Sequence, residues 1–576
     1  GDEARANELL DRAVQTAREA GIRRLDITAI VLLREADAAM EKQAWAQAGA
    51  LLDWAEALAP GLPEILDARA RLALGESPFA LHRVIQLKIR AQLARFDDFQ
   101  RRMLLLGDFV LHGLVAFGLL GLLFALCQVV RYGLNVFHDL GLAFPTAMRF
   151  VLLAAIAALM GVPLVFGFGP SLLLFPLMVV FWPYQGTGER VLSVVFILLL
   201  GATPWVLRMG DRLTEAGTGV TQALYATSLN PNDTRALETV EGAIEANGED
   251  WLAQAVAGLA YKRLGRLDEA ETALNAALSG AKGEVAGAIE NSLGNVYFAQ
   301  GRPRSAEKAY QAARAALPAS AAPAFNLHRL YRRQGRMAEA EEAIQMASGV
   351  DAQQVASWTE DDDPSLNRFV VDLDLPTSAL TRRAISDLFA PTTFARRAWL
   401  VLAGPVPEMA APVAALITLA LFGVLFSLRE RMRLSWPCVR CARPAVVLLA
   451  EGPPDQPQCD QCVSLFVRGA PVDRRVRFAK EQSVARVEAL RTWSTRVGGL
   501  LLPGLVDMVR GNAIRGAIVA GVALVLVLRL IEPDGLLFEP VPQPGAGGIR
   551  WWVVVVLALL WAAHAVRAFR WSEGRG

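Results

Sequence analysis

The sequence predicts an all-α polytopic membrane protein that carries a helical solenoid and a small four-cysteine module. Three observations predict it: one residue pattern occurs three times between Trp251 and Gly349, long runs carry no charge, and four of the five cysteines fall into two close pairs. Of the 576 residues 53% are hydrophobic and the mean hydropathy is +0.32, too apolar for an ordinary soluble chain. A net charge of +1 supplies no overall field to attract nucleic acid, so no nucleic-acid partner is expected.

The repeat comes first because a fixed period sets the architecture. Tyr261, Gly265, Ala270 and Ala277 recur as Tyr297, Gly301, Ala306 and Ala313, then as Tyr331, Gly335, Ala340 and Ala347, at spacings of 36 and 34 residues. Each copy reads as two antiparallel helices. Gly258 and Gly294 are the small residues at which the helices cross, and the alanines keep the second helix close to the first. The third copy has His328 at the crossing, which points to a looser or capping last unit. Gly265, Gly301 and Gly335 fit a tight turn that needs positive φ. Pro318 closes the second copy. These residues resemble the tetratricopeptide repeat family over about residues 251–350. The resemblance implies a solenoid whose groove takes a helix or extended peptide of a partner protein. Ala226 and Pro231 match the end of a partial unit before it, so the solenoid is expected over 211–355.

Residues 1–103 read as helices. Ala48, Leu52, Ala55 and Pro60 match the second half of a degenerate repeat, with Ala39 and Gln43 where Tyr and Gly are expected; a plain helical bundle is the alternative. A helix is expected from Pro78 to Arg102. Residues 104–210 are expected to hold three or four spans: 109–130 and 191–207 lack charge, and so do 150–188, which Gly161, Pro163, Gly167, Gly169, Pro170 and Pro176 interrupt. A linker follows at 356–405, with an acidic turn at Glu360–Pro364, a short strand at Phe369–Leu373 and an amphipathic helix at Leu380–Phe389. Residues 406–430 contain the next span, 431–470 the cysteine module and 471–498 a basic helix suited to anionic headgroups or a cytoplasmic partner. Residues 499–576 form a hairpin of spans at 514–531 and 551–567. In it, Leu502-Pro503-Gly504 with Gly511, Arg515 and Gly516 resembles a motif of small bacterial membrane hairpins, which implies no particular function.

Arg429, Arg431, Arg433, Arg440 and Arg443 follow the 409–428 span and mark its cytoplasmic side. Four crossings in 104–210 then give seven spans, both helical domains outside, and the cysteine module and C-terminus inside. An N-terminal Gly1 fits a removed signal peptide, and arginine-dominated basic usage fits a GC-rich bacterial genome. The expected location is therefore a bacterial inner membrane with a periplasmic solenoid. His112, Asp507, Arg510 and His564 are ionisable residues in or near spans, each read as structural before functional. Arg529 and Arg567 are expected to snorkel, and Trp551, Trp552 and Trp561 to form an interfacial belt.

Cys438 and Cys441 are two residues apart, as are Cys459 and Cys462, with seventeen residues between the pairs. Two such knuckles complete a tetrahedral S4 site with no open position, so one structural Zn2+ is expected. Redox disulfides or a rubredoxin-like iron are the alternatives. No nucleophilic triad, phosphate-binding glycine loop or catalytic carboxylate pair occurs, and no small-molecule substrate is suggested. The expected function is a non-enzymatic scaffold of an envelope complex, with other proteins and the lipid bilayer as partners. A transporter or channel component, from the broken helices between Val151 and Trp182, and a thiol-redox protein are the alternatives.

Overall fold

The computed structural model describes residues 2–19, 22–77, 79–143, 148, 151, 165, 167–359, 366–367, 370–386, 388–429, 431–432, 434–446, 458–469, 471–531 and 547–573. The turn expected among residues 152–164, the Glu360–Pro364 stretch and most of the 532–550 loop lie outside these. So do Pro78, Phe369 and the side chains of Trp551 and Trp552.

In chain order the helices are α1 (Asp2–Glu19), α2 (Asp26–Glu41), α3 (Trp45–Leu58), α4 (Pro63–Glu76), α5 (Leu81–Asp97), α6 (Phe99–Ala143), α7 (Leu174–Phe181), α8 (Thr187–Thr218), α9 (Val220–Leu229) and α10 (Thr234–Ala246). The repeats supply α11 (Trp251–Arg263), α12 (Leu267–Leu278), α13 (Glu284–Ala299), α14 (Pro303–Ala316), α15 (Ala322–Arg333) and α16 (Met337–Val350). After α17 (Ala352–Thr359), strand β1 (Leu366–Asn367) pairs antiparallel with β2 (Val370–Val371). Then come α18 (Thr377–Ser386), α19 (Thr393–Ala403) and α20 (Ala410–Leu428), followed by a second antiparallel pair, β3 (Ser435–Pro437) and β4 (Pro444–Val446). The chain ends in α21 (Asp460–Phe466), α22 (Arg474–Leu501), α23 (Leu505–Val509), α24 (Ala513–Ile531) and α25 (Gly547–Glu573).

Contacts divide the chain into two compact units: the first holds residues 1–106 and 212–388, the second 107–211 and most of the chain from 389 onward. Residues 1–103 and the solenoid thus share one unit. Within it, Gly265, Gly301 and Gly335 adopt φ of 80°, 71° and 75°, and each turn is closed by two backbone bonds onto the preceding helix. Gln43 makes the same turn at φ 58°, with its N–H on Met40 O and that of Ala44 on Ala39 O. The α2–α3 pair is therefore built like a repeat, with glutamine where glycine costs less. The helix expected to continue to Arg102 instead breaks at Asp98. Its carboxylate accepts the Arg101 N–H at 3.0 Å and caps the start of α6.

The second unit is organised around an apolar core that includes Phe124, Met178, Trp182, Phe196, Phe422, Met508 and Ala520. Trp182 stacks on Phe422 with ring centroids 3.9 Å apart. Across both units, four stretches among the described residues are helical, long and apolar enough to cross a membrane: Phe99–Leu140, Thr187–Leu229, Ala410–Leu428 and Ala513–Ile531. Ser171–Tyr184 and Val553–Phe569 are shorter apolar helices.

Candidate functional site

Each repeat packs its two helices where the sequence places small residues. A Cβ on Gly258 would meet Leu274 Cγ at 2.7 Å, and one on Gly294 would meet the Tyr310 ring at 2.4 Å. Ala270, Ala277, Ala306, Ala313, Ala340 and Ala347 are all buried. His328 of the third copy is half-buried and places Nδ1 2.8 Å from Ala340 O. Tyr261, Tyr297 and Tyr331 carry the guanidinium of the arginine that follows each turn glycine: Arg266, Arg302 and Arg336 lie 4.3, 4.7 and 4.3 Å from the ring centres. Those arginines reach a glutamate of the preceding pair, Arg302 to Glu271 at 2.8 Å and Arg336 to Glu307 at 3.0 Å. Tyr331 Oη also donates to Glu307 at 2.8 Å. The recurring Gly-Arg dipeptide signals these staples in the sequence.

The face made by the first helices of the repeats, α11, α13 and α15, is occupied by the chain itself. Asn291, Asn295 and Asn326 donate from Nδ2 to Val371 O at 3.1, 3.0 and 2.9 Å. Val371 N–H donates to Asn326 Oδ1 at 2.7 Å. Asp372 pairs with Lys262, lies 3.6 Å from Arg263 Nε and accepts from Asn295 Nδ2 at 2.7 Å. Asp374 pairs with Arg23 and lies 3.4 Å from Arg263. Val371 is fully buried among Phe325, Ala347 and Trp358, and Val370 packs beside Leu327 and Tyr331. Burial alone would raise the Asp372 carboxyl, but Lys262 and then Arg263 hold it down at about 2. Burial also lowers the Lys262 ammonium, opposed by the facing carboxylate. The groove expected to stand open for a partner is thus filled by the strap Val370–Asp374. A cavity of about 530 Å³ borders it, lined by residues including Arg23, Ser320, Gln354 and Trp358.

In the second unit the four cysteines converge, with their Sγ atoms all within 4.8 Å of one another. Cys438 and Cys441 sit on the β3–β4 hairpin, where Cys438 N–H donates to Arg443 O at 2.8 Å and Ala442 takes φ 57°. Cys459 caps α21 and Cys462 lies in its first turn, so the second knuckle is a helix N-terminus. Sequence reasoning missed Lys480. It turns inward from α22, with Nζ 3.3 Å from Cys441 Sγ, 3.8 Å from Cys459 Sγ and 3.1 Å from Gln461 Oε1. Burial would raise the Cys441 thiol, but the Arg443 backbone and Lys480 bonds bring it to about 7. This donor set can hold a metal ion.

The ionisable residues singled out in or near the spans all lie in the second unit. His112 and Asp108 are 2.8 Å apart on α6, and Arg529 pairs with Asp108. Trp561 donates to Leu500 O at 2.7 Å, closing the end of α22. His564 Nε2 accepts the Gly504 N–H at 2.9 Å and lies 4.0 Å from Asp507. Gly504, at φ 90°, approaches Gly516 O so closely that a Cβ would be 2.2 Å from it, which explains the glycines at 504 and 516. Arg510 pairs with Thr495.

Paired helices and glycine turns make the repeats of the first unit an α-solenoid. A family model described as tetratricopeptide repeat matches residues 234–285 and 291–352. No curated protein matches the chain.

Proposed function

We propose that the protein is a non-enzymatic, membrane-anchored scaffold subunit of a bacterial envelope complex that binds partner proteins through its repeats. The asparagine row carries this reading. Asn291, Asn295 and Asn326 grip an extended main chain through its peptide groups, which is the chemistry a partner strand also presents. In this reading the apolar helices anchor the chain in the inner membrane. The arginines after Leu428 favour a cytoplasmic cysteine module, and one crossing back would then put the repeats in the periplasm. Four soft, closely clustered thiolates suit Zn2+ in a structural site. Bound zinc would crosslink the two knuckles, while Lys480 offsets part of the thiolate charge.

Photo-crosslinking from Ser320 and Gln354 in native membranes tests the interaction, since both line the cavity beside the repeat face. One recurrent envelope protein is the expected product. Recovery of none from either position would sink the reading. Labelling of a Gln354→Cys variant in intact cells by a membrane-impermeant maleimide tests the sidedness: exposure supports a periplasmic repeat domain, and protection until lysis overturns it.

A further inference from the structure

We propose that the repeat face is a receptor for an extended peptide carrying an aliphatic pair followed by acids, and that the strap Val370–Asp374 is the chain's own competitor for it. This inference rests on the scaffold reading above and names the partner's chemistry.

The strap is held as a ligand is held. Its Val371 peptide unit receives three asparagine amides and returns its own N–H to Asn326, contacts that read main chain and not side-chain identity. Specificity comes from two other features. Val370 and Val371 enter apolar clusters formed by α14 to α17 and neighbouring first helices. Asp372 and Asp374 then meet Lys262, Arg263 and Arg23, a cationic subsite that rewards acids two residues apart. Among the described residues the strap's regular structure is β2 alone, which pairs with the two-residue strand Leu366–Asn367 just before it. Its attachment to the repeats therefore consists of contacts that any segment of the same chemistry reproduces.

An empty face is disfavoured, because Lys262 and the Asn295 amide would lose buried acceptors. Release must therefore be an exchange of one strand for another. The cavity beside the strap, lined by Ser320 and Gln354, gives the incoming segment a place to begin. A tethered competitor acts at an effective concentration on the order of millimolar, so the face discriminates strongly against weak or non-acidic ligands.

The test uses the full-length protein in detergent and a fluorescent synthetic peptide with the sequence of residues 366–375. Anisotropy is expected to show weak binding to the wild type and at least tenfold tighter binding to Asp372→Asn/Asp374→Asn, whose strap is weakened. A peptide with both acids replaced by amides is expected to bind neither. Equal affinity for both proteins, or full binding of the amide peptide, overturns the proposal. Hydrogen exchange of the wild type keeps the test independent of the variant's folding. Excess peptide is expected to speed exchange across Val370–Asp374, and unchanged exchange at the highest peptide concentration also overturns it. A crosslinked partner found alongside a negative peptide result would remove the strap proposal and leave the scaffold reading standing.

Discussion

At Gln43 a glutamine holds the left-handed turn that Gly265, Gly301 and Gly335 make in the clear repeats. A side chain there costs about 1 kcal/mol relative to glycine. Gln43→Gly is therefore expected to raise stability by about 1 kcal/mol in denaturant titration, and a lowered midpoint would contradict the assignment of strain. Lys480 is the second residue whose role follows from one contact set, its ammonium beside Cys441 and Cys459. Lys480→Ala is expected to weaken metal binding about tenfold in competition with a chromogenic chelator, with partial rescue by Lys480→Arg. Equal affinity for all three proteins would make Lys480 a packing residue.

The helix pairs are held by interlocking small and large residues, and the strap by main-chain bonds to asparagines, apolar burial and ion pairs. Gly294 faces the Tyr310 ring too closely for any Cβ, so Gly294→Ala is expected to destabilise the solenoid by about 2 kcal/mol in a thermal or denaturant melt. The arginine–glutamate staples between pairs are partly exposed, and each contributes little alone. Asp372 differs because it is buried and its carboxyl is held at about 2. A depressed folded-state value means that its stabilising contribution is present above the unfolded value near 4 and lost as pH falls through the interval from about 4 to 2. Hydrogen exchange of the strap is therefore expected to stay slow from neutral pH to about 4 and then to rise relative to its intrinsic rate. In Asp372→Asn that acid-dependent step should be missing; a step of the same size in the variant would assign it to another group.

For the whole molecule, the cysteine module and the repeats belong to different compact units, so their stabilities should separate. Chelation, or Cys438→Ser, is expected to abolish metal binding measured by elemental analysis while the circular-dichroism melt of the repeats stays unchanged. Coupled loss of both would show that metal also supports the solenoid. Among the described residues, four long apolar helices and two shorter ones are what the proposed membrane anchor, and with it the proposed sidedness, rests on.

The repeats and the cysteine pairs were legible because each is a local code. A period near 34 fixes which alanines and glycines must face a partner helix, and a two-residue gap sets two thiolates on one knuckle. Even Gln43 could be placed by offset, although its positive φ could not be read from glutamine. Val370-Val371-Asp372 read only as a short strand, because its partners Asn291, Asn326 and Lys262 lie far away along the chain and nothing in their spacing marks a shared acceptor. The same distance hid the approach of Lys480 to Cys441 and the pairing of Arg529 with Asp108. The sequence by itself determined the helical repeat and the thiolate cluster, whose geometry follows from neighbours a few residues apart. Only the tertiary structure decided that the repeat face is filled by the chain's own strap, because burying a main-chain segment against three asparagines is a contact between residues that meet only after folding.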